Sequence, residues 1–560
     1  MASRRWVVRR RSRLERAERL QVAEGCWAAG QTQRQVAADV GVARSTLQDW
    51  HRADRGGAAP AALAAFVATP EGVQWLHQLV LAAHWVITLQ GGAGVRVVCQ
   101  FLELTGLSAF VGASYGTQQA LNAALEEAIV TVAQEQRAAL ATGMPHRQVT
   151  VVEDETFHPH ICLVGLEPVS NFILLEQYAQ DRTAATWTAA LQAALTGLAV
   201  EVIQGTSDEA KALRRHVAVD WDAHHSPDLF HGQHEIAKAT SLPLARAVEQ
   251  AAATWTAAQA RGAAVATAAP PPPLDDRWPT ASKPHQAALT DLAQAQVAHA
   301  AAQSRQTEAR ALLRELGDLY HPYDLATGQA QPVARVAQRF ADVWTRLHHV
   351  AEAADLAASA RERLAKAQRL TTQWLATIAF FFATLHLKVE ALALPPDLET
   401  ALVEQLIPAL YLERVAARHP RAEDRHRLRT LSHHLLEPLR QPDHPLQALP
   451  PAERQRIEQV AGECADLFQR SSSAVEGRNG QLALHHHGHH RLSDRKLAAL
   501  TALHNFHSRR PDGTTAAERF FGRAPEPLFE QVLARVPLPP RPARRRPRPP
   551  KVPYLMPVAA

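Results

Sequence analysis

Cysteine is scarce in this chain and is not arranged in pairs. The 560 residues include only Cys26, Cys99, Cys162 and Cys464, and no two of them have the CxxC spacing. A disulfide framework needs dense paired cysteines, and a cysteine zinc site needs closely spaced ones. The sequence therefore excludes both kinds of site.

Long apolar runs are also lacking. The most apolar stretch, Trp374 to Leu385, is shorter than the roughly 20 residues that span a bilayer. The N-terminus carries arginines without the apolar core of a signal peptide. We therefore expect a cytoplasmic, nucleoid-associated bacterial protein with no membrane partner.

A strong excess of one charge sign is missing, because the formal net charge of the whole chain is only +5. The basic residues concentrate at the two ends. Such flexible basic segments attract polyanions, nucleic acid first, although a solubilising role is an equal alternative. The two clusters are Arg4, Arg5, Arg9, Arg10, Arg11, Arg13, Arg16 and Arg19, and Arg541, Arg544, Arg545, Arg546, Arg548 and Lys551.

β-Strand patterns occur in one window only. Runs rich in Val, Ile, Leu and Phe predict strands, and 183–198 between the last two runs predicts a helix with Asp181 or Thr183 as N-cap. A compact α/β core inside a mostly α chain follows. The predicted strands are 148–152, 160–166, 171–176 and 200–204.

Helical patterns dominate the rest of the chain up to about residue 470. The proline run in 268–284 predicts a linker or long loop. On either side of residue 320, the alanine-rich segments 285–316 and 330–369 are expected to form paired antiparallel helices.

Residues 32–52, TQRQVAADVGVARSTLQDWHR, resemble a helix-turn-helix. Ala37 suits a close helix contact, and Gly41 suits the tight turn four residues later. An ordinary helical hairpin is the alternative, and 94–122 is a weaker second candidate for such a unit. The second helix would present DNA-binding side chains to base edges or phosphates, namely Arg44, Ser45, Thr46, Gln48 and Arg52.

Two aspartates follow predicted strands. Asp154 lies in VVEDETF, where strand alternation lets only one of three neighbouring acids face a site, with Glu155 as second choice. Asp208 follows the strand 200–204 in VIQGTSDEAKAL, where a helix N-cap role for Asp208 or Ser207 is the alternative. Carboxylates that converge from separate elements can hold divalent cations for phosphoryl transfer.

The order of these elements resembles the ribonuclease-H-like fold of the DDE transposases. The resemblance implies a first Asp on the first strand, a second after the fourth strand, and a Glu on a later helix. Glu476, in QRSSSAVEGRNGQLALHHHGHHRLS, is our candidate for that Glu, with Glu463 as its rival. Its helix is expected to end near Gly477 or Gly480, with Arg478 and Asn479 on a polar face that lines DNA phosphates.

The 267 residues between Asp208 and Glu476 imply a helical insertion, as in the hAT and Mutator groups. Asp228 and His231, in SPDLFHGQHEI, resemble the Asp-x-x-His feature of those groups and are expected on a fifth strand. A buried polar pair that braces the strand is the alternative. The stretch FHSRRPDGTTAAERFFGRAPEPLF resembles the end of many transposase domains.

Two histidine clusters could bind metal ions, but neither has partner cysteines. A polar loop near DNA is the favoured interpretation of the cluster near residue 487. A histidine-metal nuclease ranks below the carboxylate interpretation for the other cluster. The clusters are His485, His486, His487, His489 and His490, and His224, His225, His231 and His234.

The resemblance as a whole implies a transposase that cleaves element ends and joins them to target DNA. Asp154, Asp208 and Glu476 would bind two Mg²⁺ ions, with Mn²⁺ as a substitute, and double-stranded DNA and a second copy of the chain would be partners. The alternative is an inactive, domesticated DNA-binding regulator. The expected domains are 1–58 (basic arm and helix-turn-helix), 59–146 (helical linker), 147–238 (first part of the core), 239–465 (insertion), 466–525 (rest of the core) and 526–560 (basic tail).

Overall fold

The computed structural model describes residues 13–55, 61–157, 160–268, 283–488 and 492–537. Most of both predicted basic ends and most of the predicted proline linker lie outside these residues. Within them the chain is mostly helical, with one five-stranded mixed sheet. It divides into two compact units: one of 1–136, 482–503 and 526–560, the other of 137–481 and 504–525.

The α-helices of the described residues are numbered in chain order. They are α1 Arg13–Ala28, α2 Gln33–Asp39, α3 Arg44–Arg55, α4 Ala61–Val67, α5 Pro70–His84, α6 Val95–Leu104, α7 Tyr115–Ala141, α8 Ala184–Leu195, α9 Lys211–Arg215, α10 Leu229–Ala268, α11 Lys283–Leu319, α12 Val333–Ala353, α13 Ala358–Gln368, α14 Thr371–Glu390, α15 Pro396–Ala401, α16 Ile407–Arg418, α17 Ala422–Leu436, α18 Pro445–Ala448, α19 Pro451–Asp466, α20 Ser473–Gly488, α21 Asp494–Phe506, α22 Ala516–Phe521 and α23 Leu528–Arg535.

The first unit begins with three short helices, α1 to α3. Thr32 caps α2 in a capping box with Gln35, which satisfies two backbone N–H groups at the helix start. Gly41 turns the chain toward α3 at φ +66°, a conformation that costs energy for any residue with a Cβ. The apolar seam among the three helices is buried, and its members are Leu20, Ala23, Val36, Ala37 and Leu47.

A buried polar network crosses the rest of the first unit. His84 on α5 contacts Gln118 and Asn122 of α7 through its two ring nitrogens, at 2.7 and 3.1 Å. One turn further along α7, Glu126 lies 3.6 Å from the ammonium group of Lys496 on α21. Since buried charges are stable only when they are paired, this network fixes α21 against α7.

The second unit contains the sheet, in the order β3-β2-β1-β4-β5. The first three strands are antiparallel neighbours, and β4 and β5 run parallel to β1. Four of them coincide with the predicted strands, and the fifth ends at Pro227, so the expectation that Asp228 and His231 lie on it is wrong. The strands are β1 Arg147–Phe157, β2 Ile161–Glu167, β3 Phe172–Ala179, β4 Val200–Ser207 and β5 His224–Pro227.

Helix α8 covers one face of this sheet. Thr183 is its N-cap, as predicted, and its hydroxyl accepts the N–H of Thr186. Trp187 is completely buried, and Leu191 approaches the position where a Cβ on Gly165 would stand. The helix therefore packs on the sheet face to which Val151 of β1 also points.

Helices α10 to α19 form a helical body after β5. Its core is rich in aromatic side chains, with Trp344, Trp374, Phe340 and Phe381 almost fully buried. Among the described residues, the helical stretch 358–390 is long and apolar enough to cross a membrane, judged by length and composition alone. Its α14 part buries one face, from Trp374 to Leu385, in this core.

The long helices α10 and α11 pair as an antiparallel coiled coil. The less exposed positions of α10 from Leu244 to Val265, and those of α11 from Ala288 to Ala309, repeat every three and four residues. Alanines at Ala258 and Ala302 let the two helices approach closely. The prediction that 285–316 pairs mainly with 330–369 is therefore wrong, because α11 packs chiefly along α10.

Candidate active site

Strand alternation separates the three neighbouring acids of β1. Glu153 lies 3.1 Å from the Nε2 atom of His216, with both side chains buried. Glu155 accepts hydrogen bonds from Arg182 and from the indole N–H of Trp187. Because Glu153 and Glu155 share the α8 face, Asp154 points to the opposite one.

Asp208 comes directly after β4, the parallel neighbour of β1. The register pairs Val152 with Thr206, so Asp154 and Asp208 come two residues further along, Asp154 within β1 and Asp208 just past the end of β4. One carboxylate oxygen of Asp208 accepts the N–H of Ala210 at 2.9 Å, which makes a turn before α9. Asp208 thus has a local capping contact and also lies beside Asp154.

Helix α20 carries Glu476 in its first turn. The helix begins at Ser473 and continues to Gly488, so the predicted helix end near Gly477 or Gly480 is wrong. Both glycines lie inside the helix, which tolerates each of them at a cost of about 1 kcal/mol relative to alanine.

A buried ion pair fixes α20 to the sheet. The guanidinium group of Arg478 donates to both carboxylate oxygens of Glu176 on β3, at 2.7 and 2.6 Å, and both side chains are buried. Such a two-pronged contact sets orientation as well as distance. The expectation that Arg478 faces DNA phosphates is therefore wrong, because its charge is already neutralised inside the protein.

Asn479 links α20 directly to Asp154. Its amide nitrogen donates to the Asp154 carboxylate at 3.3 Å. Its carbonyl oxygen is buried and has no hydrogen-bond partner among the described residues. A buried carbonyl oxygen without a hydrogen-bond donor destabilises the folded state, so this atom is suited to accept a hydrogen bond from water or to coordinate a cation.

Asp228 joins β4, α10 and α20. Its backbone N–H donates to the carbonyl of Ser207, and its buried carboxylate accepts hydrogen bonds from the Phe230 N–H, His231 Nδ1 and the Ser472 hydroxyl. His231 lies in the first turn of α10, half exposed. Ser472 in turn accepts the backbone N–H groups of the first turn of α20, Glu476 included. Asp228 therefore connects the residue before Asp208 with the helix start that holds Glu476.

The three candidate carboxylates share one electrostatic field. Burial, followed by the negative charges of Asp208 and Glu476, raises the pKa of Asp154 to about 6, while His231 acts against this shift. The hydrogen bond to Asp228 raises the pKa of His231, and Asp208 and Asp154 add to that rise. An acid whose pKa is raised by neighbouring acids lies in uncompensated negative charge, which favours a bound cation.

This donor set suits a hard divalent ion. Mg²⁺ prefers oxygen ligands, and Asp154, Asp208, Glu476 and the unpartnered Asn479 carbonyl supply only oxygen. Within the described ranges, no three His, Cys, Asp or Glu side chains are already close enough together to hold a metal ion. The carboxylates are thus neighbours that would have to draw together around a cation.

The other predicted residues lie elsewhere. Glu463, the rival of Glu476, is on α19, where it pairs with Lys388 at 3.6 Å. On α3, Arg44 and Ser45 are exposed and Thr46 is half-buried, while Gln48 donates to Gln33. The Arg52 side chain and the residues His489 and His490 are outside the described part of the chain. His485, His486 and His487 belong to the last turns of α20, so a loop is the wrong description for them.

Two residues that complete this arrangement were not predicted. Ser472 stands in a run of three serines before a helix, and nothing in that run marks which hydroxyl donates to Asp228. Glu176 stands on β3 in an otherwise apolar run, FILLEQYA, and an acid within such a run signals a buried partner. The sequence therefore indicates that Glu176 has a buried partner, but it does not identify Arg478, 302 residues away, as that partner.

Comparison with known proteins gives one match. Residues 402–548, which include α20, are similar to a family of unknown function, DUF6399. No curated protein matches the chain. The match places Glu476, Arg478 and Asn479 within a segment that recurs in other proteins, and it names no activity.

Proposed function

We propose that this chain is a DDE-type DNA transposase with a ribonuclease-H-like core. One observation carries the proposal: Asp208 and Glu476, chosen with Asp154 as a triad from sequence, are both close enough to Asp154 for their negative charges to raise its pKa. The order of three antiparallel strands, a helix and a fourth strand supports it, as does the helical body between Asp208 and Glu476.

The reaction would proceed in two steps at these carboxylates. A water oxygen bonds to a phosphorus at the element end, the P–O3′ bond breaks, and a 3′-hydroxyl is released. That hydroxyl then attacks a target phosphodiester, whose own P–O3′ bond breaks. Two divalent ions, when bound, would activate the attacking oxygen and stabilise the leaving one. Asp154, Asp208 and Glu476 would hold them, with Asn479 beside Asp154.

Helices α1 to α3 would locate the element end as a helix-turn-helix. The turn at Gly41 and the buried seam orient α3 so that Arg44 and Ser45 face solvent. Those side chains can donate to phosphates and base edges in a major groove. A second copy of the chain would bring the other end, because transposition joins two ends.

Carboxylate substitutions test this proposal. Asp208→Asn and Glu476→Gln should abolish Mg²⁺-dependent nicking of a plasmid that carries the gene with its chromosomal flanks, because each removes one ligand charge. Both variants should bind that DNA as the wild type does in a gel-shift measurement. Glu463→Gln, the matched control outside the site, should retain nicking. Full activity in both site variants would refute the proposal.

A regulator that binds DNA without cutting it is the second candidate. The absence of a preassembled group of three metal-binding side chains among the described residues favours it. The same experiment separates the two functions. Wild-type protein that shifts the flanking DNA but never nicks it, with Mg²⁺ or Mn²⁺, would establish the regulator.

A further inference from the structure

A cavity of about 560 Å³ opens beside the candidate active site, within the second unit. It lies between the start of α10 and the end of α13, and Asp208 forms part of its wall. Its size falls in the range of pockets that bind small organic molecules. The residues that matter here are Asp208, Phe230, His234, Glu235, Lys238 and Lys366.

Phe230 presents a flat aromatic surface to this cavity. Its ring stacks on His234, with centroids 5.7 Å apart and planes inclined by 12°, and 47% of the residue is exposed. The backbone N–H of Phe230 donates to Asp228 at 2.7 Å, which fixes the residue next to the carboxylates. A large aromatic side chain held rigidly in water beside a polar site is suited to stack with a ligand ring.

The charges around the cavity disfavour a bare phosphate. Lys238 is already paired with Glu235 at 3.1 Å, and Glu209 and Asp208 lie on the same wall as Lys366. Such a mixture offers both donors and acceptors but no excess of positive charge. A neutral heterocycle with donors and acceptors along its edge matches these walls better than an anion does.

We propose that this cavity binds one unstacked nucleobase of the DNA strand, with the base lying on Phe230. The adjoining backbone phosphate would then lie at Asp208, where the chemistry is proposed. The identity of the ligand as DNA rests on the proposed function. Stacking of a base on an aromatic side chain is compatible with any of the four bases, so this subsite would position the strand without reading its sequence.

The test compares two single-stranded probes that differ only in their bases. One is a twelve-nucleotide strand of mixed sequence, and the other has abasic sugars at its four central positions, with the same phosphates. Binding to the full-length protein is measured by fluorescence anisotropy in EDTA, so that no strand is cut. We expect the wild type to prefer the base-bearing strand, and Phe230→Ala to reduce that preference roughly 5- to 100-fold.

Two further variants make the result specific. Phe230→Trp should retain the preference because it keeps an aromatic surface. Leu242→Ala, at another exposed apolar position further along α10, should behave as the wild type does. An unchanged preference in Phe230→Ala would overturn the subsite.

Plasmid nicking separates this inference from the proposed function. Wild-type protein that nicks DNA, combined with a Phe230→Ala variant that binds both probes like the wild type, overturns the subsite alone. Wild-type protein that discriminates between the probes but never nicks DNA supports the subsite and overturns the transposase. Protein that does neither overturns both.

Discussion

At the scale of single residues, the charge of Asp154 carries a cost to stability. Its pKa of about 6 exceeds the ordinary value of 3.8. The folded state therefore binds the proton more tightly than the unfolded state does, and stability falls as the pH rises from about 4 to 6. Above pH 6 the full cost remains, about 3 kcal/mol for a shift of this size.

Asp154→Asn should consequently stabilise the protein while removing a ligand. In urea denaturation at pH 7.5 without divalent ions, we expect the free energy of unfolding to rise by up to about 3 kcal/mol, and the gain to vanish below pH 4. Added Mg²⁺ should stabilise the wild type but not the variant. Asp342→Asn, an exposed control on α12, should change stability by less than about 0.5 kcal/mol. A variant less stable than the wild type at pH 7.5 would contradict this account.

Removal of a charge from the ion pair between Arg478 and Glu176 should destabilise the protein, in contrast to removal of the Asp154 charge. Removal of one partner leaves a buried charge without compensation, so Glu176→Gln or Arg478→Met should cost about 3–5 kcal/mol. Thermal unfolding measures the loss. Arg346→Ala, which breaks exposed pairs with Glu308 and Glu315, should cost about 1 kcal/mol or less. An equal loss of stability in the variants of the buried pair and in Arg346→Ala would show that burial does not determine the cost.

At the scale of elements, Gly41 determines how α2 meets α3. Gly41→Ala should destabilise the three-helix segment by about 1–2 kcal/mol because φ +66° is unfavourable for alanine. Binding of flanking DNA should weaken in parallel in a gel-shift titration. Gly25→Ala, in the last turn of α1 where a Cβ would meet no other atom, should instead stabilise the segment by up to about 1 kcal/mol. A stabilising Gly41→Ala would show that the turn has another geometry.

Elements with a strong local pattern were predictable, and those defined by distant partners were not. Four strands and the N-cap at Thr183 follow from apolar alternation and a capping residue. The end of α20 was predicted too early because Gly477 and Gly480 suggest a helix end, while the contacts that orient the helix come from Asp228 and Glu176, hundreds of residues away. Helix α10 was not recognised as the partner of α11 because Pro243 lies within it and small residues such as Ala251, Ala258 and Gly262 interrupt the apolar pattern of its seam.

At the scale of the whole molecule, acid should unfold the second unit. Burial lowers the pKa of His224, His225 and His504 to about 4. As the pH falls from about 6.5 toward 4, these histidines bind protons in the unfolded state but stay neutral in the folded state. The free energy of unfolding therefore decreases over this range, whereas above pH 6.5 the histidines leave it unchanged. The decrease amounts to roughly 3 kcal/mol for each histidine, which together outweighs the opposite effect of Asp154.

The measurement is the free energy of unfolding at pH 7.5, 5.5 and 4.5. We expect a steep decrease between the first and last values, and a shallower one in His504→Gln, which removes one titrating group. His487→Gln, a histidine near the end of α20, serves as the control and should follow the wild type. A pH profile that is flat in the wild type would contradict the assignment.

The division into units could not be foreseen either. Segment 482–503 belongs with the first 136 residues, although it continues the helix that carries Glu476. What binds it there is a pairing of Glu126 with Lys496, two residues that are ordinary surface types when considered alone. Sequence patterns report which face of a helix is apolar, but not which distant charge will meet it.

The hydrogen bond from Ser472 to Asp228 has a consequence for the newly made protein. The two residues are 244 positions apart, so the contact cannot form until the entire helical body has been translated. At ordinary rates of synthesis this interval lasts about 12–50 s. During that time Asp154 and Asp208 are already present, but the helix that brings Glu476 is not. Under the proposed function, a nascent chain on the ribosome would therefore be unable to cut the DNA near its own gene until its synthesis is nearly complete.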